Sequence, residues 1–426
     1  MREIGVDVLV VGGGPAGLAA AASAAECGRR VAMVDDNPAP GGQIWRSGVS
    51  GRKERAARLW TGRVESLGVE IISAATIVDA DGPGRLFADT ASGIVSLACE
   101  NLILATGATE LFLPFPGWTL PNVMGAGGIQ ALVKSGWDVE GKRIAIAGSG
   151  PLLLAVASYL RTRGSRVVCI AEQASHRDVI RFGLSLVAHP RKLVQGIGIE
   201  ASLRGVERLW ESWPVRAEGR DRVERVVIRA LGGDREFECD LLACGFGLVP
   251  NVRIASFLGC LIDDGAVKVD EYQRTSVERI YCAGESTGIG GVDVAIVEGR
   301  IAGCAAAHAP ERARKLFGRR RREHGFARRL NRAFTLREEL RSIATDESIL
   351  CRCEDVALGA VRRYADVRQA KLLTRVGMGP CQGRVCGPAM GYLLGWTPDR
   401  VRPPFFPTTF ETMGAMSDGK EVISSK

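Results

Sequence analysis

Short apolar runs that end in glycine recur along the chain and alternate with segments of helical periodicity. Runs rich in valine, isoleucine and leucine are typical of buried parallel strands, whereas apolar residues three and four positions apart indicate helices. We predict strands at residues 7–11, 30–34, 102–107, 143–147, 166–170 and 280–285. Three helices are predicted: one at residues 18–26, one that ends at residue 160, and one that begins at about residue 293. This alternation of strands and helices predicts an α/β fold with parallel sheets.

The first strand leads into a glycine turn of the kind that a dinucleotide pyrophosphate requires. Gly12, Gly14 and Gly17 are spaced as G-x-G-x-x-G between this strand and an alanine-rich helix. The first glycine permits the turn, the second lets the backbone approach phosphate, and the third lets the helix pack on the strand. Asp35 ends the next strand, about twenty residues further on, where an acid binds a ribose hydroxyl. The predicted nucleotide site comprises Gly12, Gly14, Pro15, Ala16, Gly17 and Asp35.

A second strand and helix repeat the pattern in the middle of the chain. Gly148 and Gly150 form the same turn, but Leu153 stands where the third glycine is expected. Glu172 ends the following strand, and an acid there favours the free ribose of NAD and repels a 2′-phosphate. Three alternatives stay open: the second site binds NAD, binds another adenine nucleotide, or is kept for packing alone. The two repeats predict two nested Rossmann-like domains.

Two further strand ends resemble those of the two-dinucleotide-fold flavoprotein reductases. Ala105-Thr106-Gly107 ends one strand, and Gly284-Glu285 ends another before a glycine-rich turn and a helix. The resemblance implies FAD in the first domain, with the acid on the flavin ribityl chain and the helix N-terminus facing the pyrimidine ring. That acid is usually Asp, and Glu285 takes its place here. The other residues predicted to bind FAD are Gly41, Gly42, Gln43, Ile77, Ala105, Thr106, Gly107, Gly284 and Val292.

Four of the twelve cysteines form a separate pattern towards the C-terminus. Cys351 and Cys353 are spaced as C-x-C, and Cys381 and Cys386 as C-x4-C among glycines. Structural zinc sites use paired knuckles with longer spacings, so the short first spacing favours iron–sulfur ligation. Four thiolates are the ligand set of a [2Fe–2S] cluster, which we predict with zinc as the alternative. Helices are predicted between the two pairs, at residues 357–364 and 366–375.

The cysteine segment resembles the domain of bacterioferritin-associated ferredoxin, although that ferredoxin closes with C-x2-C. The segment follows two dinucleotide folds and contains the motifs Cys-Arg-Cys-Glu-Asp and Gly-Met-Gly-Pro-Cys-Gln-Gly-Arg-Val-Cys-Gly-Pro. This arrangement is similar to that of the α (A) subunits of bacterial opine oxidases and hydroxyproline dehydrogenases. It is also similar to that of the B subunit of hydrogen cyanide synthase. The resemblance implies a complex with a β flavoprotein subunit of the amino-acid oxidase type, with or without a small γ iron–sulfur subunit. It also implies a quinone or a ferredoxin as the electron acceptor.

The motifs divide the chain into consecutive regions. We predict a discontinuous FAD-binding domain at residues 1–118 and 246–309, with the second dinucleotide domain inserted at residues 119–245. A basic linker is predicted at residues 310–345, and a small helical [2Fe–2S] domain at residues 346–426. The predicted fold is therefore α/β, with two nested Rossmann-like domains and a small helical C-terminal domain.

Charge and hydropathy exclude several classes of function. The net charge of +8 is concentrated at residues 312–341, where we expect a solvated helix or linker that does not bind nucleic acid. No apolar run reaches the length of a membrane span, so no transmembrane segment is predicted. We expect a soluble cytoplasmic protein, with peripheral attachment to the inner membrane left open.

The residues that carry chemistry all belong to cofactor sites. None of the four histidines, His176, His189, His308 and His324, lies in a site-like motif, so the catalytic residues stay unassigned. We hypothesise that FAD and the cluster carry electrons away from a C–N bond that is oxidised on the partner protein. The alternative is a self-sufficient NADH-dependent reductase that passes electrons through FAD and the cluster to a ferredoxin or quinone.

Overall fold

The computed structural model describes residues 1–46, 55–396 and 401–416. The chain forms two compact units, and each is described as far as these residues extend. Unit 1 comprises Met1–Thr109, Pro250–Ala327 and Arg400–Lys426. Unit 2 comprises Glu110–Val249 and Arg328–Asp399.

The strands of the described chain are short apart from β1 and β6. In chain order they are β1 (Arg2–Val11), β2 (Val31–Val34), β3 (Glu70–Ile72), β4 (Thr76–Ala80), β5 (Arg85–Thr90), β6 (Gly93–Leu104), β7 (Ala108–Glu110), β8 (Val123–Gly125), β9 (Arg143–Gly148), β10 (Arg166–Glu172), β11 (Glu207–Trp210), β12 (Trp213–Glu218), β13 (Arg225–Ala230), β14 (Gly233–Glu238), β15 (Leu241–Gly245), β16 (Leu248–Pro250), β17 (Ile262–Asp263), β18 (Ala266–Val267), β19 (Ile280–Cys282), β20 (Ile349–Cys351) and β21 (Val356–Ala357).

The helices fall between these strands and dominate the last third of the chain. They are α1 (Pro15–Ala25), α2 (Arg55–Ser66), α3 (Ala126–Lys134), α4 (Pro151–Thr162), α5 (His176–Ser185), α6 (Pro190–Ser202), α7 (Arg253–Phe257), α8 (Val292–Ala306), α9 (Pro310–Arg314), α10 (Phe317–Ala333), α11 (Leu358–Val361), α12 (Val367–Thr374) and α13 (Cys386–Leu394). Short 3-10 helices lie at Leu186–Ala188, Gly284–Thr287 and Glu338–Ser342.

Unit 1 is built on a mixed sheet with the strand order β3-β2-β1-β6-β5-β4. The strands β2, β1 and β6 run parallel, with Val11 level with both Val34 and Leu104, and β19 also pairs parallel with β6. The other edge turns antiparallel through β5 and β4. Because Val11, Val34 and Leu104 end level with one another, the loops that follow them meet at one edge of the sheet.

Helices α1 and α8 pack against each other on this sheet, and two glycines allow the close approach. A Cβ atom on Gly299 would lie 2.1 Å from the Ala16 carbonyl oxygen, and one on Gly303 would lie 2.2 Å from that of Ala20. The alanine-rich surface of α1 is correspondingly buried. A larger side chain at either glycine would force the two helices apart, which makes this contact specific to small residues.

Unit 2 contains an all-parallel sheet with the order β11-β10-β9-β15-β8 and an antiparallel sheet with the order β12-β13-β14. The parallel sheet has Gly148 level with both Glu172 and Gly245 at its carboxyl edge. Towards the C-terminus, the hairpin of β20 and β21 and the helices α11 to α13 surround a small apolar core. The predicted α/β fold, with two Rossmann-like sheets and a small helical C-terminal region, is therefore confirmed.

Helix boundaries differ from the predicted ones by up to three residues at either end. Helix α1 begins at Pro15, three residues before the predicted start, because proline is compatible with the first turn of a helix. The basic segment contains the long helix α10, and Phe326 and Ala327 on it are buried. Within the described residues, no helix is both long enough and apolar enough to span a membrane.

Candidate cofactor sites

The first glycine turn follows β1, and its geometry demands glycine at two positions. Gly12 has a φ of +106°, and a Cβ atom there would lie 2.3 Å from the Ala105 carbonyl oxygen. A Cβ atom on Gly17 would lie 1.8 Å from the Gly12 carbonyl oxygen. Gly14 caps α1 without a side-chain hydrogen bond, so the helix N–H groups stay available to an anion. The turn has the form that a pyrophosphate requires.

Asp35 binds the turn directly. Its carboxylate is 4% exposed, and its Oδ2 accepts a hydrogen bond from the Gly13 amide. Its Oδ1 accepts from both the backbone N–H and the side-chain amide of Asn37, each at 2.7 Å. The loop beyond β2 also returns to the turn, because the Gly41 amide donates to the Gly13 carbonyl at 2.8 Å. Hydrogen bonds thus join Asp35, the loop beyond β2 and the glycine turn.

The next residues of the same loop complete that contact. A Cβ atom on Gly42 would lie 3.0 Å from Gly14 Cα, so the loop lies directly against the turn. Gln43 follows in the same loop. Ile77 lies in β4 and is 4% exposed, packed with Val11 and Val34 in the core. The structure therefore brings Gly42 to the predicted site and places Ile77 in the core beneath the adjoining strands.

The strand ends of β6 and β19 meet beside this turn. The Ala105 amide donates to the Val11 carbonyl at 2.8 Å, and the Ala283 amide donates to the Leu104 carbonyl at 3.0 Å. Thr106 Oγ1 donates to the Asn251 carbonyl at 2.7 Å and lies 3.0 Å from Ser286 Oγ. Sequence reasoning identified Thr106 but missed both of its partners, which carry no motif of their own.

One carboxylate oxygen of Glu285 is buried and has no hydrogen-bond partner among the described residues. Its Oε1 accepts from the Gly291 amide at 2.7 Å, directly before α8 begins at Val292. Its Oε2 is buried and makes no hydrogen bond within the described chain. Burial raises the pKa of this carboxyl, and the amides of Gly291 and Gly290 partly offset that effect. A buried acceptor without a donor fits a ligand hydroxyl, so these residues fit FAD.

The second glycine turn follows β9 in unit 2, and its first glycine has a positive φ like that of the first turn. Gly148 has a φ of +140°, and a Cβ atom there would lie 1.9 Å from the Gly245 carbonyl oxygen. Gly150, with a φ of +97°, caps α4. Leu153 replaces the third glycine and is buried. The helix accommodates this side chain because the neighbouring strand presents Gly245, whose Cβ position would lie 3.4 Å from Leu153 Cδ2.

Glu172 binds the second turn as Asp35 binds the first. Its carboxylate is 7% exposed; Oε2 accepts from the Gly150 amide at 2.7 Å and Oε1 from the Ala174 amide at 2.8 Å. Burial raises the pKa of this carboxyl to about 7, although those hydrogen bonds act in the opposite direction. A neutral carboxyl is thus favoured here more than at an exposed glutamate.

A later part of the chain lies on the second turn. We call residues 334–337 the covering segment. Ser149 Oγ donates to the Phe334 carbonyl at 3.2 Å, and the buried Gln173 side chain donates to the Thr335 carbonyl at 3.3 Å. In return, the Arg337 amide donates to the Gln173 side-chain oxygen at 3.0 Å. The covering segment is therefore fixed to the turn by side chains that follow two neighbouring strands.

The space left beside the second turn is small. The cavity has a volume of about 20 Å³ and is lined by Gly150, Leu154, Ile170, Glu172, Val179, Arg208, Leu209, Trp210 and Phe334. Pockets that bind small organic ligands typically measure ~300–1,000 Å³. Phe334 thus lines the same small cavity as Gly150 and Glu172 of the second turn.

The four C-terminal cysteines are neighbours in the fold. Cys353 interacts electrostatically with Cys381 and Cys351, and Cys386 with Cys351 and Cys381. The Gly377 amide points at Cys351 Sγ, 3.4 Å away. Within the described residues, no three or more His, Cys, Asp or Glu side chains are grouped around one point that could hold a single metal ion.

Backbone N–H groups surround the half-buried thiol of Cys381. Burial acts to raise its pKa, but the amides of Val385, Gly383 and Arg384 and the thiol of Cys353 outweigh burial and lower it. Each iron of a [2Fe–2S] cluster takes two thiolates, whereas one tetrahedral zinc ion takes four ligands around a point. Four neighbouring thiols with N–H donors supply the ligand set of such a cluster.

A buried acid on α8 was missed by sequence reasoning. Glu298 is fully buried, and its carboxylate is hydrogen-bonded to Gly284, Thr287 and His324. The one signal in the sequence was an acid within an otherwise apolar stretch of helix. His324 carries no motif and lies in the basic segment, so nothing near it in the sequence pointed to this contact.

Comparisons with known proteins agree with this geometry. Residues 6–309 match the family model described as pyridine nucleotide-disulphide oxidoreductase. The HcnB subunit of hydrogen cyanide synthase from Pseudomonas aeruginosa is 30% identical, over 92% of this chain and 92% of its own length. The A subunit of opine oxidase from Rhizobium meliloti strain 1021 is 30% identical, over 97% of this chain and 98% of its own length.

A solved structure extends the likeness to the fold of nearly the whole chain. L-proline dehydrogenase from P. horikoshii superposes with a TM-score of 0.67 at 21% identity, covering 97% of this chain and 80% of that one. The expected resemblance to the A subunits of opine oxidases and to the hydrogen cyanide synthase subunit is confirmed. This chain belongs to the pyridine nucleotide-disulphide oxidoreductase family and is an FAD-dependent oxidoreductase.

Proposed function

We propose that this chain is the electron-transfer subunit, carrying FAD and a [2Fe–2S] cluster, of a heteromeric cytoplasmic dehydrogenase. The complex oxidises the C–N bond of an opine, hydroxyproline or a related amino acid, mainly on a partner β flavoprotein subunit. The observation that carries the proposal is the presence, in one chain, of a dinucleotide turn and four neighbouring thiols. When bound, FAD takes up two electrons together and releases them singly, and the cluster takes one at a time.

In this proposal, named residues hold each group. The amides around Gly14 bind the pyrophosphate of FAD, Asp35 binds its ribose, and the free oxygen of Glu285 accepts a hydrogen bond from the ribityl chain. Four thiols bind the irons: Cys351, Cys353, Cys381 and Cys386. We further propose the four domains at the boundaries given above, so that these thiols belong to a domain of their own.

The partner and the substrate class follow from the relatives. Their names call them subunits of hydrogen cyanide synthase and of opine oxidase, and both names concern compounds with C–N bonds. Oxidation of a CH–NH group to C=N releases two electrons and two protons, which matches a carrier that accepts electrons in pairs. The electrons then leave towards a quinone or a ferredoxin.

The second turn weighs against the alternative of an NADH-dependent reductase. Such an enzyme needs a nicotinamide nucleotide at Gly148 and Gly150. The covering segment, which includes Phe334, leaves a cavity of about 20 Å³ there. One relative over 51% of this chain is named an NADH oxidase, so the alternative is worth a direct test. We assign the second domain a packing role in this protein.

The proposal is tested by anaerobic reconstitution with the product of the neighbouring gene. We expect flavin absorption and a [2Fe–2S] electron spin resonance signal, both of which change only when the partner and hydroxyproline or an opine are added together. Full-rate oxidation of either substrate by this chain alone would contradict the division of labour.

The variant Cys353→Ser tests the cluster separately, with Cys99→Ser as a matched control. Cys99 is a buried thiol in β6 and makes its hydrogen bond to the Pro83 carbonyl, which a serine hydroxyl can also make. We expect Cys353→Ser to lose the cluster signal and keep its FAD, and Cys99→Ser to keep both. Unchanged iron content in Cys353→Ser would contradict the proposed ligand set, and zinc in the wild-type protein would support the alternative metal.

A further inference from the structure

Glu298 is a fully buried carboxylate in an otherwise apolar part of α8. Burying a carboxylate is costly unless hydrogen bonds or charges compensate for lost water, so such a residue needs several partners. Both oxygens of Glu298 have them. They come from two elements of unit 1 that are distant in sequence, and each oxygen serves one of these elements.

Oxygen Oε2 of Glu298 holds the turn that carries Glu285. It accepts a hydrogen bond from the Gly284 amide at 3.0 Å and another from Thr287 Oγ1 at 2.9 Å. These two residues are the first and last of the 3-10 turn Gly284–Thr287. A single oxygen therefore fixes both ends of the turn, and Glu285 between them is fixed with it.

The pyrophosphate helix confines the same turn. Gly284 has a φ of +79°, and a Cβ atom there would lie 2.7 Å from Ala16 Cβ in the first turn of α1. The turn thus lies between α1 and Glu298. Any movement of Gly284 changes its fit against Ala16, next to the glycine turn that the pyrophosphate needs.

Oxygen Oε1 of Glu298 faces the basic helix α10. His324 Nε2 lies 2.7 Å away, and Arg320 Nε donates from 3.4 Å. Both side chains are largely shielded, with 31% and 21% of their surface exposed. They lie one helical turn apart on α10, so they reach the same carboxylate from one face of the helix. Part of the arginine-rich segment is therefore packed against this site.

We propose that Glu298 is a positioning residue for FAD, and that His324 and Arg320 of α10 hold it in place. Glu298 does not touch the reacting atoms; it fixes the turn that presents Glu285 to the flavin. The proposal rests on the FAD dependence of the chain and not on electron transfer to a partner, so the relay can fail while this inference stands. It gives the basic helix a role in cofactor binding.

The test is a titration of the apoprotein with FAD, in which binding is measured by flavin fluorescence. Glu298→Ala removes the acceptor that the Gly284 amide and the two α10 side chains share, while Thr287 Oγ1 keeps the Gly284 carbonyl as acceptor. We expect FAD affinity to fall about tenfold or more. Glu298→Gln keeps one acceptor oxygen for the turn and should recover part of this loss. Arg320→Ala and His324→Ala should weaken FAD binding by about threefold to tenfold.

Arg321→Ala is the matched control, because Arg321 is the exposed neighbour of Arg320 on the same helix and its loss changes the net charge equally. We expect it to bind FAD as the wild type does. Equal losses of FAD affinity in Arg320→Ala and Arg321→Ala would overturn the proposal, since the loss would then result from the change in charge and not from a lost contact.

Hydrogen exchange of the apoprotein separates positioning from general loss of stability. In Glu298→Ala, or in His324→Ala if the first variant does not fold, we expect faster exchange in the peptide that contains Gly284–Thr287. The peptide that contains β9 in unit 2 should exchange at the wild-type rate. Uniformly faster exchange in both peptides, or unchanged FAD affinity in Glu298→Gln and His324→Ala, would overturn the proposal.

Discussion

The two glycine turns share the conformation of their first glycine but differ at the helix-capping glycine and in their surroundings. In both, the first glycine has a positive φ and lies against a neighbouring strand, and in both an acid from the next strand accepts a hydrogen bond from the turn. Beside the first turn, Glu285 keeps a buried oxygen that has no donor among the described residues. Beside the second, Phe334 and the covering segment leave a cavity of about 20 Å³.

The difference teaches that a nucleotide motif specifies a turn and not its occupant. The turn depends on local sterics, which require glycine where a Cβ atom would meet a carbonyl oxygen. Whether a ligand can enter depends on residues far away in sequence, such as Phe334, nearly two hundred positions beyond the glycines. We therefore propose FAD at the first turn and a packing role for the second.

The largest effect is expected from an alanine at the first glycine of each turn. In Gly12→Ala the Cβ atom meets the Ala105 carbonyl, and in Gly148→Ala it meets the Gly245 carbonyl. Both variants should be less stable, because strain of this kind costs ~1–3 kcal/mol. We expect FAD affinity to fall about 100-fold in Gly12→Ala. FAD bound per folded molecule should stay at the wild-type level in Gly148→Ala, and a loss there would break the comparison.

A smaller effect is expected from opening the second site. Phe334→Ala removes a side chain that lines the cavity, and we expect NADH binding to become measurable by calorimetry where wild-type protein shows none. Phe182→Ala is the control: its ring lies 5.8 Å from that of Phe334 but does not line the cavity. Equal NADH binding by the wild type and Phe334→Ala would show that the covering segment does not close the site.

A third effect is the pH dependence that Glu172 adds to stability. Burial raises the pKa of its carboxyl from the ordinary 4.5 to about 7. Between these values the folded chain binds more protons than the unfolded chain, so the contribution of Glu172 to unfolding free energy falls as the pH rises. The fall is about 3 kcal/mol at most. We expect the stability of the wild type relative to Glu172→Gln to decline from pH 5 to pH 7, and parallel denaturation curves would contradict this.

Much of the fold was predictable because it depends on local patterns. The apolar strands and the glycines at positions 12, 17 and 148 follow from periodicity and sterics within a few residues. The four cysteines of the predicted quartet are neighbours in the structure. The covering segment and the contact of Glu298 with His324 were not predictable, because they join residues that carry no motif and are far apart in sequence.

The central claim is that electrons reach this chain from a partner and not from a nucleotide on the second turn. Its most direct test is to add NADH anaerobically to the purified chain with its FAD bound. The absorption of the oxidised flavin is then recorded over many turnover times. The account predicts that the flavin stays oxidised until the partner protein and an amino-acid substrate are added. Rapid bleaching of the flavin by NADH alone would contradict it.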